Sequence, residues 1–149
     1  MILIAYDATP DAAHAIAVAG SLLFGGPAQV IHVWVPAATA ADALAFGSGI
    51  VPADDDPQEE EAQAIAEAGT DLALAAGFHA EGRAVRADGS AAGALEAEIE
   101  RLQPDVVVIG SRGLTGLKAL LKGSVSHHVS THAHVPVLVV PPPADPADR

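Results

Sequence analysis

The sequence predicts an α/β fold: a doubly wound, five-stranded parallel sheet with helices on both faces. Three features point there. Short apolar runs alternate with helix-patterned segments along the chain, as repeated β-α-β units require. One run, Val106-Val107-Val108-Ile109, is unbroken by polar residues, which suits a strand covered on both sides. Right-handed crossovers between parallel strands then place helices on either face.

The first strand is Met1 to Tyr6, ending at Asp7. Thr9-Pro10-Asp11 supplies a cap with proline in the first helical turn. Ile16, Gly20 and Leu23 recur with helical spacing, and Gly25-Gly26-Pro27 stops that pattern before a second strand, Ala28 to Val35. Pro36 to Pro57 reads as a long surface loop within the domain, holding Asp54-Asp55-Asp56. This acidic run lacks the alternating ligands and glycine of a calcium loop, so it reads as solvated chain.

A helix follows from Gln58 to Ala76, then a more polar strand from His79 to Ala87. After Asp88-Gly89-Ser90, the residues Leu95, Ile99 and Leu102 form one apolar helical stripe, with Glu96, Glu98 and Glu100 expected to face away. This helix ends before Pro104, and Asp105 to Gly110 should be a strand near the centre of the sheet. The last helix spans Ser124 to Ala133, and Val135 to Val140 forms a fifth strand that Pro141-Pro142-Pro143 ends. Residues 1–143 are therefore expected to form one domain, with 144–149 a short tail.

Composition narrows the function. A formal charge of −12 disfavours general binding to nucleic acid or to anionic membranes. The absence of cysteine removes any disulfide framework, no charged leader precedes an apolar stretch, and no run approaches a membrane span. A cytoplasmic protein is expected.

In a doubly wound sheet, ligands sit beyond the carboxyl ends of the strands where the strand order reverses. Asp7-Ala8-Thr9 and Gly110-Ser111-Arg112-Gly113 should meet there. Gly110 and Gly113 have no Cβ, so the backbone is free to take positive φ and approach a phosphate. Gly123-Ser124 then opens a helix whose N–H groups and positive end favour an anion. Arg112, Lys118 and Lys122 are three of only seven basic residues, so the acidic chain carries one basic loop. Neither a Walker-type loop nor Gly-x-Gly-x-x-Gly after the first strand is present.

At these residues the chain resembles the universal stress protein family, whose nucleotide-binding members carry Gly-x2-Gly-x9-Gly-Ser/Thr. Gly110, Gly113, Gly123 and Ser124 match it, and the likeness runs from the Met1 to Asp7 opening through Ile31-His32-Val33 to Val135-Pro136-Val137-Leu138-Val139-Val140. The resemblance implies a Rossmann-like sheet of the adenine nucleotide alpha hydrolase type with strand order 3-2-1-4-5. It also implies bound ATP, with Mg²⁺ as companion ion. Adenine would lie near Val33, with Asp7 beside it or on the ribose. The phosphates would follow Gly110, Gly113, Gly123, Ser124 and Val125, with Ile109 and Arg112 flanking the first glycine. The family's usual Asp-Gly-Ser is Asp7-Ala8-Thr9 here, and Lys122 stands where an apolar residue is usual, reaching either the γ-phosphate or solvent.

Other residues have plainer readings. Asp7 also has the option of a capping role, and His32 reads as a packed or hydrogen-bonded structural residue. His128 and His132 lie one turn apart within His127 to His134, but the sequence offers no third ligand, so a polar helix face is the reading and no metal ligand is assigned. No catalytic residue is assigned either. The leading function is an ATP-binding regulatory module of the stress response with an unknown protein partner. Its rivals are a slow ATPase or nucleotide-activating enzyme and a nucleotide-free dimeric interaction protein. Pro136 suits an edge strand, so a two-fold homodimer through Pro136 to Val140 is expected, as the resemblance also implies.

Overall fold

The computed structural model describes residues 1–36, 57–111 and 125–143. The elements are β1 (Ile2–Ala5), α1 (Pro10–Leu23), β2 (Gly26–Trp34), α2 (Pro57–Ala75), β3 (Phe78–Arg86), α3 (Ala91–Leu102), β4 (Val106–Gly110), α4 (Val125–His132) and β5 (Val137–Val140). All strand pairings are parallel, and the sheet order is β3-β2-β1-β4-β5, the expected 3-2-1-4-5.

Alternation along β1 divides the interior into two cores. Ile2, Ile4 and Tyr6 point to the side where Ala12, Ala15, Ile16 and Ala19 of α1 pack, joined by Ala73 of α2. Leu3 points the other way, against Leu95 and Ile99 of α3 and Val129 of α4. Aliphatic side chains dominate both cores, with Tyr6 and Phe78 the aromatic members on the α1 side, so close approach replaces much of the aromatic bulk. A Cβ on Gly69 of α2 would lie 2.5 Å from the Tyr6 ring, and one on Gly82 of β3 would lie 2.7 Å from the Ala66 carbonyl oxygen. Small residues let α2 lie against the sheet at these two points.

Two strand starts and the burial of one carboxylate differ from expectation. β2 begins at Gly26, earlier than the glycine-proline stop implied, because β3 already flanks it through Gly26↔Phe78 and Pro27↔His79, while β1 joins only at Ala28. Proline is tolerated at this strand start, where one neighbour is absent. β5 begins at Val137, so Pro136 precedes it. Glu98, expected to face away from the core, is 7% exposed. Its Oε1 accepts from Arg83 at 2.6 Å, and its Oε2 accepts from Arg101 Nη2 at 2.7 Å and Nε at 3.1 Å. Packing of α3 over the sheet, with Arg83 reaching across from β3, thus buries a carboxylate that the helical stripe alone would leave outside, and two guanidinium groups satisfy it.

The two sheet rims are unlike. β3 exposes His79, Glu81, Arg83 and Arg86 along one rim, whereas β5 carries only Val137, Leu138, Val139 and Val140 along the other. Among the described residues no helix is long and apolar enough to cross a membrane.

Candidate functional site

β1 and β4 are neighbours, in register through Ile2↔Val106, Leu3↔Val107 and Ile4↔Val108, yet the chain leaves them in opposite directions. β1 leads toward β2 and β3, and β4 leads toward β5, so a crevice opens beyond their carboxyl ends. Asp7-Ala8-Thr9 enters it from one side and Gly110-Ser111 from the other.

The turn after β1 is held at several atoms. His32, 5% exposed, donates from Nδ1 to the Tyr6 carbonyl at 2.9 Å, while the Tyr6 N–H donates to the Ile31 carbonyl at 2.9 Å. The packed and hydrogen-bonded reading of His32 therefore describes its place, and the bond fixes the residue just before Asp7. Burial, and then the negative charge of Asp7, raise the pKa of the Tyr6 phenol above its ordinary value.

Ala8 has φ 61°, in the left-handed region where glycine is favoured. This is the position at which the family pattern carries glycine. The bend lets Thr9 fold back on Asp7, whose Oδ1 accepts from the Thr9 N–H at 3.1 Å and the Thr9 hydroxyl at 2.5 Å. Thr9, not Asp7, caps α1, since its Oγ1 accepts from the Ala12 N–H at 3.2 Å and Pro10 follows at the first helical position.

On the other side, Gly110 is buried and is not among the residues with left-handed φ, contrary to expectation. Its bareness serves a close approach instead: a Cβ there would lie 3.2 Å from the Asp11 carbonyl oxygen and 3.4 Å from the Ala12 nitrogen. The end of β4 thus rests on the first turn of α1. Ser111 continues the sheet by donating its N–H to the Val140 carbonyl at 2.8 Å. Its own carbonyl accepts from the Ser126 hydroxyl at 3.5 Å, so the start of α4 returns to the end of β4.

The remaining wall is apolar. Ala5, Val33, Ile109 and Val125 belong to the core on the α3 and α4 face, at the carboxyl ends of β1, β2 and β4 and at the start of α4. The structure therefore brings Asp7, Gly110 and Val125 to one end of the sheet, with Val33 and Ile109 on its α3 and α4 side. Arg112, Gly113, Gly123 and Ser124 lie outside the described residues, as do Lys118, Lys122 and residues 37–56 of the expected loop.

The far end of α4 holds the histidines. His128 Nε2 lies 2.9 Å from Glu96 Oε2 on α3, and the His128 and His132 rings stack with centroids 4.3 Å apart. The His132 Nδ1–H donates to the His128 carbonyl at 2.9 Å. The hydrogen bond from His128, aided by the charges of His128, His132 and His134, holds the Glu96 carboxyl below its ordinary value against desolvation. Among the described residues, no three metal-ligating side chains gather to hold an ion.

Sequence reasoning missed the left-handed Ala8 and the double engagement of the Thr9 hydroxyl. The signal available was the Asp-x-Thr-Pro order itself, in which an acceptor, a bend and a capping hydroxyl precede a helix.

A sequence model of the universal stress protein family matches residues 1–141. Among curated relatives, universal stress protein MJ0531 of Methanocaldococcus jannaschii is 48% identical over 44 residues, 30% of this chain and 26% of its own length. YxiE of Bacillus subtilis is 54% identical over 35 residues, 24% of each chain. The match thus spans about a quarter of these relatives.

Among solved structures, the hypothetical protein MJ0577 superposes with a TM-score of 0.73 at 23% identity, covering 97% of this chain and 96% of that one. A universal stress protein in complex with cAMP gives 0.67 at 21% identity, over 93% and 94%. The Arabidopsis thaliana family protein At3g01520 with AMP bound gives 0.61 at 19% identity, over 99% and 98%. At these identities the superpositions establish the shared fold.

Proposed function

The chain belongs to the universal stress protein family, and from that premise we propose that it binds an adenine nucleotide, ATP in particular, as a regulatory module of the stress response. The carrying observation is the convergence of Asp7, Gly110-Ser111 and Val125-Ser126 at the strand-order reversal, where the end of β4 and the start of α4, between which the rest of the glycine motif lies in sequence, come back together.

The chemistry fits the nucleoside half of the ligand. Val33 and Ile109 offer apolar surface to a base, and Asp7 accepts from a ribose hydroxyl or an exocyclic amine. Two structural neighbours are complexes with cAMP and AMP, which share adenosine and one phosphate with ATP. The step from monophosphate to ATP rests on the spacing of Gly110, Gly113, Gly123 and Ser124, with the positive end of α4 facing the phosphates. Mg²⁺ would accompany the triphosphate, held mainly by its oxygens and water.

Gly110, Ser111, Val125 and Ser126 bring neither carboxylate nor imidazole to the phosphate end, which supports retention of the nucleotide over rapid turnover. A partner would then read the loaded state in the cytoplasm. We extend the reading to a two-fold dimer through Pro136 to Val140, because that rim of the sheet is aliphatic.

Titration calorimetry with ATP, AMP and GTP tests the ligand. Saturable binding of the adenine nucleotides, lost in Gly113→Val, is expected. No heat with ATP or AMP at millimolar concentration sinks the reading, and rapid phosphate release from ATP would replace the regulatory role with an enzymatic one. Light scattering tests the dimer, with monomer at micromolar concentration counting against it.

A further inference from the structure

The adenine-nucleotide reading of the crevice leaves open how the Asp7 carboxylate is aimed, and the answer lies in atoms outside the expected ligand set. The Thr9 hydroxyl has one proton, and it goes to Asp7 Oδ1 at 2.5 Å. As acceptor, the same oxygen takes the Ala12 N–H at 3.2 Å. The Thr9 N–H makes a second bond to Asp7 Oδ1 at 3.1 Å. Oδ1 is thus occupied twice, while among the described residues no donor meets Oδ2. The left-handed bend at Ala8 closes this ring of contacts.

Resting on that reading of the site, we propose that Thr9 is a positioning residue for nucleoside recognition: by clamping Oδ1, it fixes the Asp7 carboxylate and leaves Oδ2 as the oxygen that receives the ligand's donor. A carboxylate already held in place loses less rotamer freedom when the ligand arrives, so affinity depends on a hydroxyl the ligand does not touch. The Thr9 hydroxyl gives its only proton to Asp7 and takes the Ala12 N–H on one lone pair, so it has no proton left for a ligand, which separates this role from direct donation.

The test is a double-mutant cycle read by calorimetry at pH 7 with adenosine, a probe without charge, alongside melting of each variant. Thr9→Val is expected to weaken adenosine binding roughly tenfold, and Thr9→Ser to restore binding to within about twofold because its hydroxyl can make both bonds. In the Asp7→Ala background, Thr9→Val should change binding no further, although it should still lower the melting temperature by removing the α1 cap. Should the valine variant not fold, Thr9→Asp takes its place, since it caps α1 without a proton to donate.

Additive losses in the double variant, or full adenosine affinity in Thr9→Val, overturn the positioning role while leaving nucleotide binding intact. Failure of the unaltered chain to bind either ATP or adenosine overturns both readings.

Discussion

Ala8 is the place where a single hydrogen-for-methyl exchange should strengthen the fold. Its φ of 61° sets the Cβ against the following carbonyl, a conformation that costs an L-residue roughly 1–2 kcal/mol and glycine almost nothing. Glycine gives back about 0.4–1 kcal/mol through the extra freedom of the unfolded chain. Because Ala8 is exposed, little packing is lost, and Ala8→Gly should stabilise the protein by about 1 kcal/mol net.

The control is the same exchange at Ala17, exposed in the interior of α1, where glycine should destabilise by about 1 kcal/mol. The two variants then differ by about 2 kcal/mol, or about 4–8 °C in melting temperature for a domain of this size. Scanning calorimetry of both beside the parent decides it. If Ala8→Gly melts below the parent, as Ala17→Gly must, the left-handed bend after β1 is not the source of strain.

Three further perturbations probe other contacts. Gly82→Ala should destabilise by about 2 kcal/mol in urea unfolding, since its Cβ would press on the Ala66 backbone carbonyl, and an unchanged midpoint would mean α2 can move away freely. His32→Leu keeps the volume but leaves the buried Tyr6 carbonyl without its donor, so a loss of about 2 kcal/mol is expected, and a neutral result would show that another donor reaches it. The folded-state pKa of Glu96 lies below its ordinary value, so the contact stabilises the fold above that value and the gain disappears as pH falls through the depressed one. Glu96→Gln should therefore be less stable than the parent at pH 7, with the gap closing once the pH falls below the depressed value, whereas a gap that persists after the carboxyl is protonated contradicts the His128 contact.

The legible parts of this molecule were those governed by local pattern. Continuous apolar runs at β1, β4 and β5 and the Thr9-Pro10 cap announced their elements, because burial on both faces and helix termini impose composition directly. Glu98 was illegible for the opposite reason: its burial depends on Arg83, which is local to β3 and reaches α3 only after folding. Gly26-Pro27 misled because a breaker pair is acceptable where one neighbouring strand has not yet begun.

At the candidate site, the sequence pointed to Asp7 and Gly110 but not to the reasons for their geometry. Gly110 looked like a residue chosen for unusual φ, yet what it provides is contact with Asp11 and Ala12 of α1. Alanine gives no hint of a left-handed backbone, so the bend at Ala8 was visible only as a departure from the family's glycine.

The contrast between the rims of the sheet limits how copies of this chain can join. Hydrogen bonding across two β5 rims would use the aliphatic side of each copy and leave imidazole, carboxylate and guanidinium groups bordering both outer limits. Growth through the proposed β5 contact would terminate after one addition, so concentrating the protein should yield pairs and no fibres.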